Sequence, residues 1–224
     1  MKKEGLNWWC DRAWIKCSCL IAAIMTGLIL LNWENWSAEL KIIAAIAALI
    51  PVHVVEEWVF PGGFHYQYNC TFGSDQPDRY PMCRLSDMIT NLVATVLYIT
   101  LTIICIVNGR VSNGIILGTI VFCVLEFFMH TMFGIRMYLK FKSKGKTTIY
   151  GPGSITAYLG FTVFGIILLY CMEGRTVVSG DWVEALIILC IIGFVCILIP
   201  ENLLKKKDNK YFFESSGYFD RFLK

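Results

Sequence analysis

His53, Glu56 and Glu57 stand together inside an apolar run from about Leu40 to Phe60. A run of that length crosses a bilayer, which takes about 20 residues. An acid or base at mid-membrane costs on the order of 3 kcal/mol even on the mild insertion scale. Such groups are therefore expected to be paired, protonated or bound to a metal. Residues three or four apart on a helix share a face, so His53 lies beside both Glu56 and Glu57. The two carboxylates point about 100° apart, so one can face the bundle centre while the other sits at its flank. Glu126 and His130, four apart in another apolar run, repeat the theme.

Imidazole and carboxylate donors together suit Zn or Fe, with Mn also possible. His53, Glu56, Glu57, Glu126 and His130 are the candidate ligands, for one ion or for two bridged by a carboxylate. In a hydrolytic site the histidines and one or two glutamates would hold the ion, and a remaining glutamate, Glu56 or Glu57, would act as general base on a water. The zincin pattern is excluded, because no second histidine follows His53 by four residues. A di-iron-type oxidoreductase is a second possibility, since bundles build such sites from Glu-x-x-His helices, although the order here differs. Hydrolysis is slightly favoured over oxidation. A proton- or cation-coupled transporter is a third reading, since intramembrane Glu and His form proton relays. Against it, the sequence has no inverted repeat and the cluster is off-centre. The blandest reading is structural, with protonated glutamates hydrogen-bonded to histidines between helices.

The elements that must position these residues are membrane helices. Of the 224 residues, 56% are hydrophobic and the mean hydropathy is +0.58, against about 45–50% apolar residues in a soluble domain. The expected fold is all-α, a polytopic six-helix membrane bundle forming one domain over 1–224. Its spans are about 13–31, 40–60, 88–107, 113–132, 154–172 and 182–199. The first lacks a small-x-small cleavage site and is expected to be retained. Pro61-Gly62-Gly63 ends the second span, the polar stretch Phe64–Asp87 reads as the longest loop, and Pro200 ends the sixth span. Residues 201–224 form a basic and aromatic tail expected to lie on the membrane surface. The cysteines within apolar runs read as small packing residues, and the tryptophans as an interfacial belt.

Six spans put both termini on one side, and every lysine and arginine except Lys41, Arg110 and Arg175 then falls on that side. This asymmetry assigns both termini to the cytoplasm, of a bacterial cytoplasmic membrane in the expected setting. His53 lies about 12 Å before Pro61, and Glu126 and His130 about 15 and 9 Å before Arg136, at 1.5 Å per residue. Both clusters thus fall in the cytoplasmic half. Pro51 removes a backbone hydrogen bond just before His53 and leaves room for a ligand. Other polar residues collect at that level and are candidate accessories: Asp87 and Asn91, which can cap the third span, and His65 and Asn69 in the adjacent loop. His65 reads more readily as a solvated loop histidine than as a ligand. Tyr150-Gly151-Pro152-Gly153-Ser154 opens the fifth span, where backbone N–H groups can face an anion. Tyr150 joins Glu56 and Glu57 as a catalytic candidate. The basic run Lys140–Lys146 reads as an anchor for anionic headgroups. Membrane lipid and a hydrophobic or lipid-like substrate are the expected partners, and nucleic acid is not.

The combination of His53-x-x-Glu56-Glu57 near a helix end, Glu126 and His130 on a later helix, and Tyr150-Gly151-Pro152-Gly153 resembles the HXXEE family of small integral membrane proteins. The resemblance runs from about residue 40 to 170. It implies a membrane-bound, metal-dependent enzyme and names neither a substrate nor a reaction.

Overall fold

The computed structural model describes residues 5–224, without the side chain of Arg12. Lys2, Lys3 and the Arg12 side chain, part of the charge asymmetry, lie outside the described residues. Six helices are long and apolar enough to cross a membrane, and no strand occurs among the described residues. They are α1 (Trp14–Leu31), α2 (Ala38–Trp58), α4 (Arg84–Asn108), α5 (Asn113–Phe141), α6 (Ser154–Cys171) and α7 (Ser179–Leu204), with a shorter α3 (Phe64–Thr71) between the second and third.

Local chemistry sets the ends. Ser37 and Ser112 accept from the amides of Leu40 and Ile115 and so cap α2 and α5. Gly109, at φ +64°, ends α4 in the left-handed conformation. Ile43, Ala44, Ile46 and Ala47 on α2 pack with Tyr98, Ile116, Phe161 and Leu168 in the main core. The alanines let neighbouring helices approach closely, which is how packing is gained where lipid is as apolar as protein.

Among the described residues, Asn7 near the start and Tyr211–Phe212 in the tail meet at one end of the bundle. The Arg84 amide donates to Tyr211 O at 2.9 Å, and its guanidinium donates to Phe212 O at 2.7 Å and Asn7 Oδ1 at 2.6 Å. Arg84 is buried, and these contacts carry α4 further toward that end than hydropathy indicates, starting it at Arg84. The cap of α4 is accordingly made by Ser86, whose hydroxyl accepts from the Cys83 amide at 3.0 Å, and not by Asp87 or Asn91.

Four other expectations change. The stretch after α2 is not an open loop: α3 buries Phe64 through Asn69, its polar side chains finding partners across the fold. The Asn69 amide group, for example, bonds Pro77 O, Met82 O and the Met82 amide at 2.7–2.9 Å. Pro200 does not stop the last span, which continues to Leu204; the helix is wound in wide turns over Ile191–Leu198 just before it, so the regular hydrogen-bond ladder that a proline would break is already interrupted there. The tail folds onto the protein instead of lying free on a surface. Phe219 stacks on Tyr66 and Phe141 with centroids 5.3 and 5.9 Å apart, and Tyr218 N donates to Gly62 O at 3.0 Å. Trp14, finally, is a fully buried residue in edge contact with Trp58 and not part of a belt.

Candidate metal centre

α2 and α5 bring their acids and imidazoles into one cluster. His53 Nε2 lies 3.2 Å from Glu57 Oε1 and 3.7 Å from Glu126 Oε2. His130 Nε2 lies 3.6 Å from Glu57 Oε1 and 3.5 Å from Glu126 Oε2. The two rings meet edge to face with centroids 4.8 Å apart. The helical spacing of four, His53 to Glu57 and Glu126 to His130, is what aims each pair at the same point.

These separations are those of a ligand set. Four donors about 2.0–2.1 Å from a tetrahedral ion stand about 3.3–3.4 Å apart. His53, Glu126 and His130 form the mutually close set, with ligand atoms that all lie within 4.8 Å of one another, and Glu57 stands beside it, near both imidazoles. Charge balance agrees, because two carboxylates and two neutral imidazoles around a divalent cation sum to zero, which reduces the penalty of burying charge in an apolar medium.

The tautomer of His53 also fits. His53 Nδ1 lies 2.6 Å from Thr156 Oγ1. That hydroxyl has one proton, directed at Glu56 Oε2 at 2.6 Å or Gly153 O at 3.2 Å, both acceptors. Nδ1 must therefore be the donor to Thr156, which leaves Nε2 as a bare lone pair facing the cluster. A second hydrogen bond that fixes the imidazole in this way is the usual support of a metal-ligating histidine.

Glu56 and Glu57 divide as their angular offset implies. Glu57 faces the imidazoles, while Glu56 turns to the start of α6. Glu56 accepts from the amides of Ile155 and Thr156 at 3.0 and 2.9 Å, and from the hydroxyls of Thr156 and Tyr150 at 2.6 and 3.3 Å. The amides that open α6 thus do face an anion, and the anion is this carboxylate. Tyr150 reaches the cluster only through Glu56. Burial first, then the Glu56 carboxylate, pushes the Tyr150 phenol above its ordinary pKa.

Gly153 closes the centre from the α6 side. Its φ is +87°, and a Cβ there would overlap His130 and lie 2.9 Å from His53 Cε1. A wide turn over Ala157–Phe161 in α6 follows, with Phe161 edge-on to His53 at 5.2 Å. The side chains of His53, Glu57 and His130 are all less than 8% exposed, whereas that of Glu126 is 24% exposed. The cluster is therefore sealed except beside Glu126.

The four accessory candidates are engaged elsewhere. His65 is buried, stacked on Phe213 and bonded through Nε2 to Asp78 Oδ1 at 3.1 Å, so it is neither solvated nor placed among the donors. Burial holds His65 below the ordinary imidazole pKa, despite Asp78. Asn69 ties the loop together as described. Asp87 accepts from Trp58 Nε1 at 2.7 Å and from Asn91 Nδ2 at 2.8 Å. Sequence reasoning passed over Thr156, and read Gly153 only as part of the turn that opens the fifth span and not as a wall of the centre. The only signal for them was the start of α6 itself, where a glycine and a threonine read as ordinary turn and cap residues.

A family model described as "Protein of unknown function with HXXEE motif" matches residues 44–168, more than half of the chain and including every donor of the centre. No curated protein and no solved structure matches the chain.

Proposed function

The chain belongs to the HXXEE family, and from the centre built on that motif we propose that it is a metal-dependent membrane enzyme, a hydrolase in preference to an oxidoreductase, acting on a hydrophobic or lipid-like substrate. The observation that carries this reading is the grouping of His53, Glu126 and His130, whose ligand atoms all lie within 4.8 Å of one another, with Glu57 Oε1 3.2 and 3.6 Å from the two imidazoles. Zn suits the set best, and Fe or Mn would also be held by it. A single ion is favoured, since Glu56 is engaged by α6 and does not bridge.

A divalent ion at this point would supply Lewis acidity and lower the pKa of a water. Every other role falls to residues of the chain. Glu57, the more enclosed carboxylate, holds the two imidazoles in register. Glu126 directs Oε2 to the same imidazoles and is the one partly exposed carboxylate of the centre, so it, in place of Glu56 or Glu57, is the group placed to take a proton from an attacking water. Glu56, Thr156 and Tyr150 form the support behind His53 and touch no substrate. The site lies toward the end of the bundle where Asn7 and the tail meet, which the positive-inside asymmetry assigns to the cytoplasm.

Elemental analysis of the purified protein tests the reading directly. About one Zn, Fe or Mn per chain is expected, and His53→Ala should lose it with the helical signal retained. Metal content unchanged in that variant ends the assignment.

A further inference from the structure

A groove of about 150 Å³ lies between α5 and α6, lined by Ile120, Cys123, Phe127, Thr162, Gly165 and Leu169 among others. It is almost wholly apolar. The one hydroxyl, that of Thr162, is spent on Ala157 O at 2.9 Å. Gly165 forms its floor, since a Cβ there would stand 3.0 Å from Cys123 Cβ.

The groove adjoins the metal centre along both helices. Cys123, Phe127 and His130 follow one another at three- and four-residue steps on α5, so groove and centre share a stripe of that helix. On α6, Phe161 packs on His53 and the next residue, Thr162, lines the groove. The groove begins at Phe127, the residue after Glu126, which is the one partly exposed donor, and runs to the level of Ile120, about 10 Å along the helix. An apolar cavity of about 150 Å³ accommodates a benzene-sized ligand, hence a short length of aliphatic chain and not a fused ring system. The rim residues Val124, Ile166 and Leu169 are exposed in spans that cross the membrane, so the groove opens sideways to lipid.

We propose that this groove is the chain-binding subsite of the metal centre. Its occupant is a single aliphatic chain of a bilayer-dissolved amphiphile, whose polar, reacting head lies at the open side of Glu126. Entry is lateral from the bilayer, between α5 and α6, and the head needs no passage through the buried end of the bundle. The proposal rests on the metal-dependent reading above and specifies its substrate class.

The test uses the full-length protein in phosphatidylcholine nanodiscs, with Co(II) bound at the centre. Two probes share a metal-binding head: acetohydroxamate, which has no chain, and a dodecyl hydroxamate carrying a mid-chain diazirine. Both should change the cobalt absorption band. Photolysis of the long probe should label the peptides holding Ile120–Phe128 and Thr162–Leu169. Ile166→Trp, which fills the groove from its exposed side, should weaken the long probe about tenfold, the worth of roughly two buried methylenes, and leave acetohydroxamate unchanged. Label spread evenly over lipid-facing residues of all spans, or a tryptophan variant that affects both probes or neither, overturns the subsite while the cobalt band upholds the metal centre. Absence of a cobalt band in the unmodified protein overturns the metal reading and this proposal with it.

Discussion

Thr156 Oγ1 sits 2.6 Å from His53 Nδ1 and 2.6 Å from Glu56 Oε2, so one hydroxyl links an imidazole of the centre to the carboxylate that anchors α6. Its single proton goes to an acceptor, and His53 is left holding its own proton on Nδ1. Thr156→Val removes that partner and frees His53 to adopt the other tautomer, in which Nε2 carries the proton and cannot ligate. Metal affinity should fall about 10–100-fold, the usual cost of a lost support behind a ligating histidine. Thr156→Ser should keep it. Competition titration of Zn against a chromogenic chelator measures both.

Glu56 and Glu57 are neighbours with opposite assignments, and isosteric substitution separates them. Glu57→Gln removes a charged donor from the cluster and should abolish stoichiometric metal. Glu56→Gln should retain metal at reduced affinity. It should lower the stability of the bundle by about 1–3 kcal/mol, because the amides of Ile155 and Thr156 lose a charged acceptor. Metal analysis paired with thermal unfolding in detergent distinguishes the two. Equal metal loss in both variants would show that Glu56 is itself a ligand.

Much of this centre was legible in the sequence, because periodicity decides which helical side chains share a face. His53 with Glu57, and Glu126 with His130, are each four apart in apolar runs, and both pairs sit at matching distances from the span ends. Their meeting needed only α2 and α5 to be neighbours. What stayed hidden depends on partners far away in sequence. Gln67 and Asn69 fall in the stretch that reads as a polar loop, yet they are buried against Pro152, Pro77 and Met82. Phe213 and Phe219 read as a lipid-facing tail, yet they cover His65 and Tyr66. No local pattern distinguishes a polar side chain in water from one satisfied by a distant carbonyl.

The tail is held through a pair that titrates. Ser216 Oγ donates to Asp78 at 2.8 Å, and His65 Nε2 lies 3.1 Å from the same carboxylate. Burial keeps the His65 pKa below its unfolded value, so between about pH 6.5 and that lowered value the unfolded state binds a proton that the folded state does not. Stability therefore falls as pH drops through this window. Burial acts to raise Asp78, but the hydrogen bonds from His65 and Ser216 outweigh it and hold the carboxyl below the usual range. Its contribution is present above about pH 3.8 and lost as pH falls through the lowered folded value. Both groups act in the same direction. Amide exchange over Phe213–Phe222, corrected for the intrinsic pH dependence of exchange, should accelerate on going from pH 7 to pH 5. His65→Phe, which keeps the stack on Phe213 and does not titrate, should flatten the response above pH 5.

Gly153 is the position where the smallest change should have the largest effect on the centre. It holds φ +87°, a region that costs a residue with a Cβ about 1–2 kcal/mol. A methyl there would also overlap the His130 ring and crowd His53. Relief requires either ring to turn, or the start of α6 to move away and draw Thr156 and Glu56 with it. Gly153→Ala should therefore lose stoichiometric metal as completely as His53→Ala does, although it alters no donor. Gly109→Ala carries the same left-handed strain with nothing within 4 Å of the added methyl, so it should cost comparable stability and leave metal binding intact. Metal content measured beside thermal unfolding for the two alanine variants separates strain from obstruction. Full metal in Gly153→Ala would mean that the imidazoles are not held against this turn.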